Sequence, residues 1–416
     1  MRVPRFNVRL PSQSDPHWAL IDQGVASAGN FLTACIAARV LDVRSFGIFA
    51  IVWGVLLSTG ATQSALITLP LSLRAASRAT GETHQALVLA ALRVTLYFAA
   101  AAAALLCAVL SVWESPALGF AAGAALIGWQ IQEVTRRSLM AQLRFRDAIH
   151  GDVVSYPLQA VIIIAASWFV RPSAAVLFLI VAAASISGAV VQGVQLGLRP
   201  SVEKPTCNAR TIWDLGKWNA GKTALEGVAI QAPSLLLASV SGAERVAYLQ
   251  SLVNVVALTH PVMAAVSNVV TISVAREGGG RSTVLRGGTT GTILLAGYLV
   301  VTACFPNLVL QAFYGSHSQY LALAMQLQVL CGIYLFVYAG HVTGAVLNGL
   351  GQSVLSFRNQ GIASAVVVVL SAPLIWGLGV WGVLAAYFLT AVLRAAANVN
   401  SLFLLERKRT LSLETT

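Results

Sequence analysis

The chain has 416 residues, 57% of them hydrophobic and only 10% charged. Soluble domains run about 25% charged, so an ordinary water-soluble fold is excluded and lipid becomes the natural solvent. The net charge of +12 falls mostly between apolar runs, which points to anionic lipid headgroups and away from nucleic acid.

The opening stretch, MRVPRFNVRLPSQSDPHW, is polar and basic, and the first apolar run carries Asp22, Gln23 and Asn30. A cleavable signal segment avoids such residues, so this run is expected to stay as the first membrane helix. Runs of about 20 apolar residues, each long enough to span a bilayer, cover 19–39, 46–71, 86–112, 117–141, 150–170 and 173–197. A second series covers 217–240, 246–275, 287–305, 320–347, 357–377 and 379–404. A lone helix satisfies its own backbone in lipid, so these spans are helices.

Loop charge sets the topology. With the N-terminus in the cytoplasm, only Arg39, Arg44, Arg171 and Arg245 of the 27 lysines and arginines fall on the outer side. This asymmetry predicts twelve spans with both termini cytoplasmic. The expected layout is an N-terminal segment 1–18, a six-helix bundle 19–198, a cytoplasmic linker 199–216, a second six-helix bundle 217–404 and a tail 405–416. The linker carries Pro200 and Pro205. A weak internal repeat supports two halves: shifted by 200 residues, Trp18 meets Trp218 and Asp22 meets Lys222. The predicted architecture is therefore an all-α polytopic membrane protein, two pseudo-symmetric six-helix bundles around a central cavity.

No HExxH, GxSxG or Walker motif occurs, so no catalytic site is expected. The glycines at 278–280 and 287–288 lack the Lys-Ser/Thr ending of a phosphate loop and read as a flexible connection. The five cysteines form no CxxC pair, and four sit in apolar runs, so neither a metal nor a cofactor is expected.

Intramembrane charge is the strongest remaining signal, because burying it in lipid is expensive. Asp22 lies one turn into the first span, and Gln23, Ser27 and Asn30 follow at helical spacing. Lys222 and Glu226 form an i, i+4 pair on the seventh span. Glu133 and Arg137 lie on the fourth beside Gln130, Arg93 on the third, His341 on the tenth and Arg394 on the twelfth. Arginines near helix ends also snorkel to headgroups, the simpler account of Arg137; Arg136 counts with the cytoplasmic charge. His341 alone reads as a packing residue. The functional alternative has Arg93, Lys222 and Arg394 binding an anionic head such as a diphosphate. Gln23, Asn30, Gln130 and Gln231 would then meet sugar hydroxyls, and Asp22, Glu133 and Glu226 would act in ion coupling or gating. The repeat offset makes Asp22 and Lys222 an expected pair.

Several stretches resemble the polysaccharide (O-antigen type) flippases of the multidrug/oligosaccharidyl-lipid/polysaccharide exporter superfamily. They are Ile21-Asp22-Gln23-Gly24 through Asn30-Phe31-Leu32-Thr33, then Ala38-Arg39-Val40-Leu41 and Phe46-Gly47-Ile48-Phe49-Ala50. Arg136-Arg137 through Arg144-Phe145-Arg146 is similar to the family's connection after helix 4. Tyr314-Gly315, Tyr320, Leu347-Asn348-Gly349 and the Gly377-Leu378-Gly379 corner follow in the family's order. One departure is that the eighth span has no Asp, Glu, Lys or Arg between Tyr248 and Ala275. The resemblance implies alternating access and a polyprenyl-diphosphate-linked oligosaccharide as cargo, in a bacterial cytoplasmic membrane. Anionic lipids and other glycan-assembly membrane proteins are the implied partners. The alternatives are an ion-coupled multidrug exporter of the same superfamily, a glycan polymerase or ligase, and a scaffold in a glycan-assembly complex. Outer loops almost devoid of charge argue against the polymerase.

Overall fold

The computed structural model describes residues 15–71, 84–169, 172–198, 209–277 and 281–414. Most of the expected 199–216 linker, the glycines at 278–280, Arg74 and Arg78 lie outside these residues. Every described element is helical. In chain order they are α1 Asp15–Val40, α2 Val43–Gln63, α3 His84–Trp113, α4 Pro116–Ala141, α5 Phe145–Phe169, α6 Ala174–Gln195 and α7 Ala209–Ser241. They continue with α8 Ala243–Ala257, α9 His260–Glu277, α10 Arg281–Cys304, α11 Pro306–Tyr314, α12 Ala324–Gly349, α13 Ser353–Leu378 and α14 Val380–Glu414.

Each expected span overlaps a helix of this series; α7 and α10 start at Ala209 and Arg281, ahead of the expected 217 and 287, and α14 runs on to Glu414, so the expected tail is helical up to there. Two features were not expected: the eighth span is broken into α8 and α9, and the nine-residue α11 turns 93° from the end of α10. By length and apolar composition, seven helices among the described residues can cross a membrane, or nine if each bent pair is one span. The remaining three, α1, α4 and α7, each carry several charged and amide side chains along the helix. Trp376, Phe169 and Val112 are exposed, a placement that lipid accommodates and water would penalise.

Local chemistry fixes the ends. Ser115 caps α4 by accepting from the Leu118 N–H at 3.3 Å, with Pro116 at the first helical position, where its missing N–H costs nothing. Asp42 starts α2 by accepting from the Ser45 N–H at 3.0 Å. Burial pushes the Asp42 carboxyl up, but hydrogen bonds from Ser45 and Arg44 outweigh this and hold it below the usual carboxylate range. The expected glycine corner between α13 and α14 is a turn through Gly379, whose φ of +56° favours a residue without a Cβ.

The chain forms two compact units. The first comprises 1–33 and 56–224, the second 34–55 and 225–416. In the first, α4 packs on α3 and α6, and small residues allow the approach. A Cβ on Gly119 would meet the Cys107 carbonyl oxygen at 2.7 Å, and one on Gly128 the Ala182 carbonyl oxygen at 3.1 Å. In the second, α14 packs on α12 and α13. Asn398 joins them: it donates to the Gly340 carbonyl at 3.1 Å and accepts from Asn359 at 3.1 Å. Arg39 donates to the Ala312 and Phe313 carbonyls at 2.6 Å each, closing the end of α11. Phe46, Tyr248 and Tyr314 surround the Tyr320 ring.

Candidate functional site

A cavity opens inside the first unit, lined from α1 by Gln23, Ser27 and Asn30, from α2 by Gln63, and from the turn after it by Ser64. The turn Ser64–Thr68 is π-helical, a widened geometry common at functional positions. α4 contributes Trp129, Gln130, Glu133, Arg136 and Arg137, and α5 contributes Tyr156. The volume is about 190 Å³, below the roughly 300–1,000 Å³ of sites that engulf a drug-sized molecule. It has room for one small group at a time.

The back wall is an ion cluster around Arg136, which is 7% exposed. Its Nη1 lies 2.9 Å from Asp22 Oδ2 and 3.5 Å from Asp152 Oδ2. Its Nε donates to Glu133 Oε2 at 3.0 Å and its Nη2 to Glu133 Oε1 at 3.1 Å. Arg137 Nε donates to Glu133 Oε1 at 2.7 Å. The planar guanidinium, with its fixed fork of donors, can serve three carboxylates from three helices at once. Behind it, Gln132 donates to Asp152 Oδ1 at 3.0 Å, Thr135 donates to Gln192 Oε1 at 2.8 Å, and Gln192 donates to the Ala148 carbonyl at 2.9 Å.

Two consequences follow from counting charges and lone pairs. Three carboxylates face two guanidiniums, so the cluster is neutral only when it holds one proton or one monovalent cation. Asp22 Oδ1, Asn30 Oδ1, Gln63 Oε1 and Gln130 Oε1 are buried and accept no hydrogen bond from the protein. Three of these four oxygens belong to cavity-lining residues. Buried acceptors left this way are costly and call for donors.

Of the residues singled out from sequence, Gln23, Asn30, Gln130 and Glu133 meet in this cavity, with Asp22 behind them. Arg93 is exposed on α3 and is not among the cavity residues. Gln231 and Arg394 belong to the second unit, where the Gln231 amide lies against Gly54. Lys222 and Glu226 fall on α7, with side chains outside the described residues. Asp22 takes Arg136 as its partner in this structure. Two readings need correction: Arg136 is buried and not part of a cytoplasmic connection, and Arg137 points to Glu133 and the cavity. Both follow from partners that packing supplies: Asp22 of α1 and Asp152 of α5 reach Arg136, and Glu133 of α4 engages both arginines. Asp152, Tyr156, Gln63 and Gln192 were missed. The Glu133, Arg136, Arg137 spacing of i, i+3 and i+4 was the available signal.

No family model and no curated protein matches the chain by sequence. Solved structures do match its fold. An inward-facing multidrug resistance MATE family transporter of the MOP superfamily superposes with a TM-score of 0.72 at 15% identity, over 96% of this chain and 99% of that one. The eukaryotic MATE transporter AtDTX14 gives 0.66 at 12% identity, over 94% and 96%. A MOP superfamily transporter from Pyrococcus furiosus, whose binding pocket of reverse polarity suggests a different function, gives 0.62 at 12% identity, over 96% and 95%. A chain that is helical throughout its described elements and superposes on these transporters over nearly its whole length has the fold of MATE transporters.

Proposed function

We propose that the protein carries a polyprenyl-diphosphate-linked oligosaccharide across a bacterial cytoplasmic membrane by alternating access, for surface polysaccharide assembly. The observation that carries this reading is the set of unsatisfied amide oxygens at Asn30, Gln63 and Gln130. Sugar hydroxyls are donors of the kind such a wall needs, and about 190 Å³ suits one sugar ring at a time. Gln23 and Ser27 extend the same surface. Arg93, Lys222 and Arg394 are the cations offered to the diphosphate, and Gln231 is a further sugar contact. Asp22 and Glu133, with the single excess negative charge of their cluster, form the coupling site, and Glu226 is a third candidate. Both termini are placed in the cytoplasm by loop charge, and anionic lipids and other glycan-assembly membrane proteins are the partners.

A second reading has its own support. Trp129 and Tyr156 beside Glu133 are what a cavity for cationic aromatic drugs would use. Against it, both Glu133 oxygens are already engaged by Arg136 and Arg137.

Proteoliposomes decide between them. With a fluorescent lipid-linked oligosaccharide, the protein is expected to make the inner-leaflet pool accessible to an added glycosidase, and Asn30→Ala with Gln130→Ala is expected to slow this about tenfold or more. Ethidium efflux driven by an ion gradient, with no glycan movement, would establish the drug exporter instead.

A further inference from the structure

α10 has 24 residues, Arg281–Cys304. At about 1.5 Å per residue it is about 36 Å long, enough by itself to cross a hydrocarbon core of about 30 Å. α11 follows after a single residue, Phe305, and turns 93° from the end of α10. A helix that leaves a completed span at a right angle runs in the plane of the membrane. The basic residues of α10, Arg281 and Arg286, stand near its start, so α11 leaves from the opposite, uncharged end.

Three stripes divide the surface of α11. Pro306, Leu310 and Tyr314, at i, i+4 and i+8, are buried against the second unit. The Tyr314 hydroxyl donates to the Ser251 carbonyl at 2.8 Å and holds the helix there. Asn307 and Gln311 form an exposed polar stripe. Phe305, Leu308 and Ala312 form an exposed apolar one, with Leu308 65% exposed. It continues the exposed apolar face of α10, where Leu294 and Val301 are also open. Water would penalise Phe305 and Leu308, and hydrocarbon would leave Asn307 and Gln311 unsatisfied. Only the boundary between the two suits all of them.

The far end of α11 fixes its depth independently. Arg39, an exposed cation in the last turn of α1, donates to the Ala312 and Phe313 carbonyls at 2.6 Å each. It meets the negative end of the α11 dipole. An exposed guanidinium stands at the polar boundary, because hydrocarbon makes its charge expensive. Exposed Ser316 and His317 follow directly after the helix.

We propose that α11 is an interfacial helix whose partner is the lipid leaflet opposite the basic loops. Acyl chains lie under Phe305, Leu308 and Ala312, and headgroups and water lie beside Asn307 and Gln311. The bent pair of α10 and α11 is then one full span followed by an in-plane anchor, in place of two halves of a broken span. Arg39 ties that anchor to the end of α1. By loop charge the leaflet is the outer one. The assignment is independent of the cargo.

The full-length wild-type protein is reconstituted in vesicles of phosphatidylethanolamine and phosphatidylglycerol. These carry a phospholipid with a photoactivatable diazirine either beside the glycerol or at the end of an acyl chain, and labelled residues are mapped by mass spectrometry. Phe305, Leu308 and Ala312 are expected to take the shallow probe about threefold or more over the deep one, and Leu294, near the middle of α10, to prefer the deep one. Deep labelling of Phe305 and Leu308 at the level of Leu294 would make α11 a re-entrant segment and overturn the proposal. Labelling by neither probe would mean that protein or water covers the face, and overturns it too. In intact cells a membrane-impermeant maleimide is expected to modify Gln311→Cys about tenfold faster than Leu308→Cys, read peptide by peptide so that native cysteines do not count. Equal rates would contradict the two stripes. Protection of Gln311→Cys until the cells are opened would overturn the choice of leaflet.

Discussion

Arg136→Leu is expected to destabilise the protein by about 3–5 kcal/mol and to abolish transport. Asp22 and Asp152 are 0% and 1% exposed, and Arg136 is the cation in contact with both. Removing it leaves two carboxylates buried without a counter-charge, and Glu133 with Arg137 alone. The loss is a large share of the roughly 5–15 kcal/mol that holds an ordinary domain folded. Arg136→Lys keeps the charge but loses the fork that reaches three helices, so it is expected to fall between wild type and Arg136→Leu. Asp22→Asn removes one of the buried charges, so Arg136→Leu combined with Asp22→Asn is expected to cost less than the sum of the two singles. Thermal denaturation in detergent measures all four. An Arg136→Leu protein as stable as wild type would show that the cluster carries no stabilising charge pairing.

Gly47→Ala is the second large effect, and it acts through sterics alone. A Cβ there would sit 1.8 Å from the Ala243 carbonyl oxygen and 2.5 Å from its carbon. These are backbone atoms at the start of α8, next to Gly242 with its φ of +83°, and they cannot rotate aside. Gly54→Ala is the contrast seven residues along α2. Its Cβ would meet the Gln231 amide at 2.5 Å, the far end of a flexible side chain that can swing away. Overpacking costs about 1–3 kcal/mol and more where backbone must move, so Gly47→Ala is expected to melt well below Gly54→Ala. Equal melting temperatures would mean that α2 and α8 separate without cost.

The spans were legible because each is a long apolar run, and hydropathy reads length and composition directly. The break between α8 and α9 left a fainter mark: Thr259-His260-Pro261 disfavours helix at the residue before proline, but a continuous apolar run hid it. α11 was hidden likewise, as Cys304-Phe305-Pro306 ends one helix and begins another without a polar loop. The polar stripe on α1 was legible from helical spacing, and it does line the cavity. Arg136 was not legible, because a cation near a helix end counts with the cytoplasmic charge until its partners are known. Those partners, Asp22 and Asp152, come from other helices. Gln63, Tyr156 and Gln192 carried no local signal either, since an isolated amide or phenol in an apolar run acquires meaning only from what packs against it.

The most direct measurement is of inner- and outer-leaflet pools of lipid-linked glycan in cells with and without the protein. Loss of the protein is predicted to accumulate the inner-leaflet pool and deplete surface polysaccharide, with Arg136→Leu giving the same phenotype. Unchanged pools in both leaflets would contradict a glycan cargo and leave the MATE fold standing with another role.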